Sequence, residues 1–292
     1  DTFIGYQAGA NNDQGSYNVF LGYQAGYTNA NSDNNVFVGT QAGYTNTSGN
    51  DNVFLGYRAG YENTSGDSNV FLGNKSGHSN TGSSNVFVGE STGENNEGNE
   101  NVFVGKSSGE NYNGNQDTFV GYQAGISGNG DYNVFVGYKS GANNEGYYNV
   151  FLGSNAGGSN EGNQDTFVGY NTGYDNTGDY NTFVGYESGK DNEGSNCTFV
   201  GYGVSLNNTG DDNVFVGHNA GKSNTSGTQN VFVGTGSGYN SNIYGNLTYN
   251  GYKAGYENKG YDNTIIGHEA GKFCTGDSNI FLGKWAGGNI IS

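Results

Sequence analysis

The sequence predicts an all-β fold: a parallel β-solenoid, or β-roll, of about 18 short coils of 16–17 residues. Three observations point there. A core of the type Asn18-Val19-Phe20-Leu21-Gly22 recurs in register through all 292 residues, and self-similarity at a short fixed period marks a stacked architecture. Each core centres on an aromatic between β-branched or aliphatic neighbours, which favours a short strand over a helix. Glycine returns at two fixed offsets behind it, as the corners of a coil require. Residues 1–292 are read as a single repeat array. Because Asp1 falls inside a repeat, we expect a piece of a longer fibre protein.

Taking the central aromatic as position zero, the first element is the strand. Its centre is Phe20, Phe37, Phe54, Phe71, Phe87, Phe103, Phe119, Phe135, Phe151, Phe167, Phe183, Phe199, Phe215 and Phe232, and the register also passes through Phe3, Tyr249, Ile265 and Phe281. These rings are expected to stack inside the coil at about 4.8 Å, each burial stabilising by about 1.5–3 kcal/mol. Positions −1 and +1 are aliphatic or Thr, with Asn250 the exception at +1. Side chains alternate across a strand, so both faces are apolar, and the outer one must meet something beyond its own coil. A second copy of the chain is the economical candidate.

The next element is the corner. Position +2 is glycine in all 18 copies, and position +6 is glycine in all but one, where Ser205 stands. Small residues at +5 (Ala25, Ser76, Thr92, Ala124) predict a second short strand packed over the first. Runs such as Asn46-Thr47-Ser48-Gly49-Asn50-Asp51 then close the coil, and the 16- or 17-residue length is decided in that outer turn. Position −2 is Asn18, Asn35, Asn52, Asn69, Asn85, Asn101, Asn133, Asn149, Asn181, Asn213 and Asn230 in the regular copies, with Asp1, Asp117 and Asp165 replacing it elsewhere. These are expected to hydrogen-bond side chain to side chain as an amide ladder.

Laid out this way, the copy resembles the head repeat of the trimeric autotransporter adhesins, the YadA-like β-roll, whose motif Asn-Ser-Val-Ala-Ile-Gly-x-x-Ser corresponds to Asp51-Asn52-Val53-Phe54-Leu55-Gly56-Tyr57-Arg58-Ala59. It is also similar to arrays in tail-fibre-type proteins. The likeness runs the whole chain. Phe stands where the adhesin motif has Ala, and the copies here are longer. The resemblance implies a homotrimer packed about a common axis.

Composition with 56 Gly and no Pro would suit a disordered tract, but a disordered tract has no reason to keep an aromatic in register. The net charge of −17 makes nucleic acid and anionic membrane poor partners, and the absence of an apolar run near 18 residues excludes helical membrane insertion. Cys197 and Cys274 lie four coils apart, about 19 Å at about 4.8 Å per coil, too far to pair. No catalytic or metal constellation forms around His78, His218 or His268. Turns such as Asn163-Gln164-Asp165 resemble calcium loops but lack the flanking signatures, so no cofactor is expected and structural calcium is the minor alternative.

The candidate contact residues are the tyrosines at +3: Tyr6, Tyr23, Tyr57, Tyr122, Tyr138, Tyr170, Tyr186, Tyr202 and Tyr252. They suit glycan or protein contact, although packing between neighbouring coils is the preferred reading of the row. The coils of Phe199 and Tyr249 are irregular, at Cys197 and Gly203-Val204-Ser205 in the first and at Leu247, Asn250 and the turn Asn242-Ile243-Tyr244-Gly245 in the second, and are read as decayed repeats in preference to a bend or docking site. The expected role is structural rather than enzymatic: an extracellular or cell-surface fibre or adhesin segment, about 86 Å long at about 4.8 Å per coil, that attaches by many weak contacts to glycans or host surfaces. A non-binding filament or virion tail-fibre shaft is the alternative. Ice or mineral binding is disfavoured, since regular Thr-x-Thr rows and a carboxylate grid are both missing.

Overall fold

The computed structural model describes residues 1–242 and 244–288. It forms two compact units, Asp1–Tyr148 and Asn149–Ser292, built from the same repeat. Among the described residues there is no helix, and each unit is a parallel β-solenoid. Ile243, in the altered turn singled out above, lies outside the described residues.

The first unit holds β1 (Thr2–Ile4), β2 (Val19–Leu21), β3 (Val36–Val38), β4 (Val53–Leu55), β5 (Val70–Leu72), β6 (Val86–Val88), β7 (Val102–Val104), β8 (Thr118–Val120) and β9 (Val134–Val136). The second holds β10 (Val150–Leu152), β11 (Thr166–Val168), β12 (Thr182–Tyr186), β13 (Thr198–Tyr202), β14 (Val214–Val216), β15 (Val231–Val233), β16 (Thr248–Asn250), β17 (Thr264–Ile266) and β18 (Ile280–Leu282). Among the described residues that makes 18 strands, one to a coil. Strands pair in parallel with no slip, ring over ring: Phe37 opposite Phe54, Phe183 opposite Phe199. Ring centroids in the first unit lie 4.6–5.0 Å apart. Phe20 to Phe232 are fully buried, so the central residue does fill the coil.

Coil length leaves this spacing untouched. Phe54 and Phe71 are 17 residues apart with centroids at 4.8 Å, while Phe71 and Phe87 are 16 apart at 4.9 Å. The extra residue is absorbed in the outer turn, where Thr47 and Ser48 are exposed.

The two glycine columns have different causes. Gly56, at +2, has φ +145°, and a Cβ there would fall onto the carbonyl oxygen of Gly73 in the next coil. Coils stacked at strand spacing leave the corner no room for a side chain. Gly60, at +6, has φ +58°, and a Cβ there would enter the ring of Phe54 in its own coil. One glycine lets coils stack, and the other lets the ring close the coil.

The second strand expected around +5 is absent. The segment from +4 to +7 is a turn or bend in every regular coil, and +3 joins it in all but the coil of Phe183, where β12 runs on to Tyr186. Position +4 is left-handed whatever its residue: Gln24 at φ 54°, Gln41 at 57°, Arg58 at 53°, Lys75 at 55°. A left-handed residue breaks the extended path. Bonds between coils nevertheless run through it, since the amide of Gly43 donates to the carbonyl of Ala59 at 2.9 Å and that of Arg58 to Thr40 at 3.0 Å. Ala25, Ala42 and Ala59 are fully buried there, so the small-residue requirement holds for a turn as it would for a strand.

Candidate functional site

Three surfaces follow from this coil. The first is the outer strand face. With zero inside, −1 and +1 point outward, and they remain open: Val19 is 41% exposed and Leu55 48%. The pattern of outer apolar pairs around a buried ring recurs from β2 through β4 and again in β7, β9 and β15. Such columns are not the scattered surface apolar residues of an ordinary protein.

The second is the tyrosine column at +3, whose nine residues are all exposed. Neighbours stack: Tyr6 on Tyr23 at 5.5 Å, Tyr122 on Tyr138 at 5.4 Å, and Tyr170, Tyr186 and Tyr202 in succession at 5.1 and 4.9 Å. His218 continues the last row at 5.2 Å and His268 stands 5.0 Å from Tyr252, so both histidines occupy tyrosine places. Stacking within the column turns ring faces toward one another and leaves edges and hydroxyls to solvent. Tyr57 stands between Thr40 and Asn74, with the Arg58 guanidinium 5.2 Å from its centroid.

Sequence reasoning missed the third surface, at +7. Tyr27, Tyr44, Tyr61 and His78 stack at 5.0, 5.0 and 5.1 Å. Burial holds the His78 imidazole below its ordinary value. Between the +3 and +7 columns runs an amide row at +4, Gln7, Gln24 and Gln41, linked at 2.9 and 3.0 Å and ended by the Arg58 Nε at 2.8 Å. Reading positions +4 and +7 down the copies, as done for +3, brings out both columns.

The asparagines at −2 are buried as expected, but they bond differently. Asn35 Oδ1 accepts from the backbone amide of Asn52 at 2.9 Å, and Asn35 Nδ2 donates to the Gly49 carbonyl at 2.9 Å. The column pins side chain to backbone, because the position before a strand places its amide beside the next coil's main chain. The side-chain ladder lies instead at +9, with Asn46 donating to Asn29 at 2.9 Å, and Asn192 to Asn176 and Asn208 to Asn192 at 2.8 and 2.9 Å. It breaks at Tyr112, which reaches across Gly128 of the following coil to the Gly130 carbonyl at 2.6 Å.

Where Asp replaces Asn at −2, burial pushes the carboxyl up to about 8, at both Asp117 and Asp165. Asp117 Oδ2 has no hydrogen-bond partner. Cys197, in the same column, is free and buried, and burial pushes its thiol up to about 12; Cys274 is free and buried at +9. Among the described residues, no three His, Cys, Asp or Glu side chains are placed to hold a metal ion, and no helix is long and apolar enough to cross a membrane.

No protein-family model matches the chain, and no curated protein sequence is similar enough to stand as a relative.

Proposed function

We propose that this chain is a structural segment of an extracellular fibre or adhesin, which associates with copies of itself through the outer strand face and presents its tyrosine columns for multivalent attachment. The observation that carries the reading is the repetition of that apolar face, two residues per coil, in register. A second copy has the same coil spacing, so every Val and Leu it brings meets an equivalent partner without accumulating mismatch. Covering such residues is favourable by about 25 cal/mol per Å² of apolar surface. A homotrimer fits the two-column face, since each chain can share it with two others, and the adhesin-like motif at Asp51–Ala59 agrees with that assembly.

Light scattering tests the assembly directly. The expected mass is three times 30.6 kDa. A stable monomer would sink the trimer. Leu55→Glu together with Val53→Glu, both on the outer face, should return the chain to monomer with the fold intact.

A non-binding shaft is the second reading, and one observation favours it: stacking already occupies the tyrosine ring faces that would receive a sugar. Replacing Tyr170, Tyr186 and Tyr202 together by Ser separates the two. Loss of retention on glycan-coated surfaces supports attachment, and no retention of the parent chain on any surface supports the shaft.

A further inference from the structure

The +4 column carries a side chain in all but two coils, those of Gly203 and Gly236. At Gly236 the missing side chain opens a notch of about 200 Å³ between the aromatic columns. Tyr239 and Tyr256 of the +7 column form one wall, stacked at 4.9 Å, and His218 and Asn219 form part of the other. Lys253, one coil on, leans its ammonium over Tyr252 at 5.2 Å and Tyr256 at 5.5 Å. The nearest carboxylate along the column, Glu269, is already engaged by Lys272 at 2.8 Å and by the Trp285 indole at 3.0 Å. Lys253 bonds to the Tyr252 hydroxyl and feels the Glu269 carboxylate, but forms no salt bridge among the described residues, so a cation borders the notch in a chain of net charge −17.

We propose that this notch binds one acidic sugar residue, a pyranose carrying a carboxylate. The pyranose ring occupies the space over Gly236, where an apolar floor and the tyrosine wall meet its C–H groups. Lys253 takes the carboxylate through a charge-assisted hydrogen bond. Asn219, whose Nδ2 lies 3.2 Å from the His218 Nδ1, and Thr235 stand where sugar hydroxyls need partners. The notch deepens the attachment reading above, on which its biological role rests, by naming the class of sugar.

Gly236→Gln is the decisive variant. Gly236 has φ +64°, the same left-handed conformation that Gln24 and Gln41 adopt in this column, and the nearest atoms to a Cβ there are Lys253 Cγ at 3.4 Å and the Tyr256 ring at 3.5 Å, ordinary contact distances. The substitution therefore fills the notch with the column's own residue and keeps the fold. Lys253→Gln removes the charge in the same way.

The chain is titrated with D-galacturonate, D-galactose and acetate, following the ring protons of His218, Tyr239 and Tyr256 by NMR. Galacturonate should shift them, galactose and acetate should bind at least about tenfold more weakly, and each variant should lose about tenfold in galacturonate affinity. Equal binding of acetate and galacturonate overturns the sugar site, as does a galacturonate response that survives Gly236→Gln. Retention on a galacturonate-coated surface separates the two proposals. Binding in solution without retention sinks attachment and leaves the notch, whereas retention unchanged by Gly236→Gln sinks the notch and leaves attachment.

Discussion

At the scale of single residues, close stacking decides what each position tolerates. Gly56→Ala places a methyl against the Gly73 carbonyl and asks Ala to hold φ +145°. It should cost upwards of about 3 kcal/mol in a urea titration, whereas Gly236→Ala should cost about 1 kcal/mol or less. Buried acids follow the same logic through protons. The unfolded Asp165 has its ordinary value of 3.8, while in the fold burial pushes it up to about 8. Below about pH 4 both states hold the proton. As pH rises toward 8 the folded state keeps a proton that the unfolded state has released, so stability falls across that window. Asp165→Asn should abolish that fall and raise stability at pH 8 by about 1–3 kcal/mol, with little change at pH 3.5, as melting curves across pH would show.

At the scale of the coil, the strand and its buried ring were legible in the sequence because β-branched residues around an aromatic leave few alternatives. The turn from +3 to +7 was not, since its left-handed +4 position carries Gln, Arg, Lys, Ser or Glu more often than Asn, and those side chains do not announce that conformation. Bonds to the coils on either side hold them there, a cause invisible one copy at a time. The +9 ladder was hidden for another reason: it sits at the head of the Asn-rich turn of variable length, where one asparagine among several does not stand out by composition. Within it, Tyr112 and Gly128 compensate each other. Tyr112 fills the space that Gly128 vacates, and a Cβ on Gly128 would meet both its ring at 3.0 Å and, closer still, the Asn144 backbone carbonyl at 2.5 Å. Gly128→Asn should therefore destabilise by about 2 kcal/mol or more, and Tyr112→Asn by about 2–4 kcal/mol through the hole it leaves. The double variant, which removes the ring contact but keeps the Asn144 carbonyl against the new side chain, should recover only part of the summed loss, and a double-mutant cycle measures the coupling. Simple addition of the two losses would show that the pair is unrelated.

At the scale of the whole molecule, net charge and the apolar faces pull against each other. Like-charged copies at −17 repel, so the proposed self-association should strengthen as added salt from about 0.02 M to about 0.3 M shortens the screening length. Trimer mass lost with salt would instead mark an interface made of opposite charges. The tyrosine and glutamine columns were partly readable, the +3 row by its frequency, but the notch at Gly236 depends on one missing side chain among many glycines, which only the stacked geometry distinguishes. A last consequence concerns inheritance. Every regular coil bonds to its two neighbours through the same columns, and 16- and 17-residue coils are interchangeable at the outer turn. Excising residues 38–54 would join Phe37 to Leu55 and leave each column unbroken. A gene of this kind can gain or lose whole copies by misaligned recombination without a compensating substitution elsewhere, so the number of coils is a trait that selection can tune in steps of one.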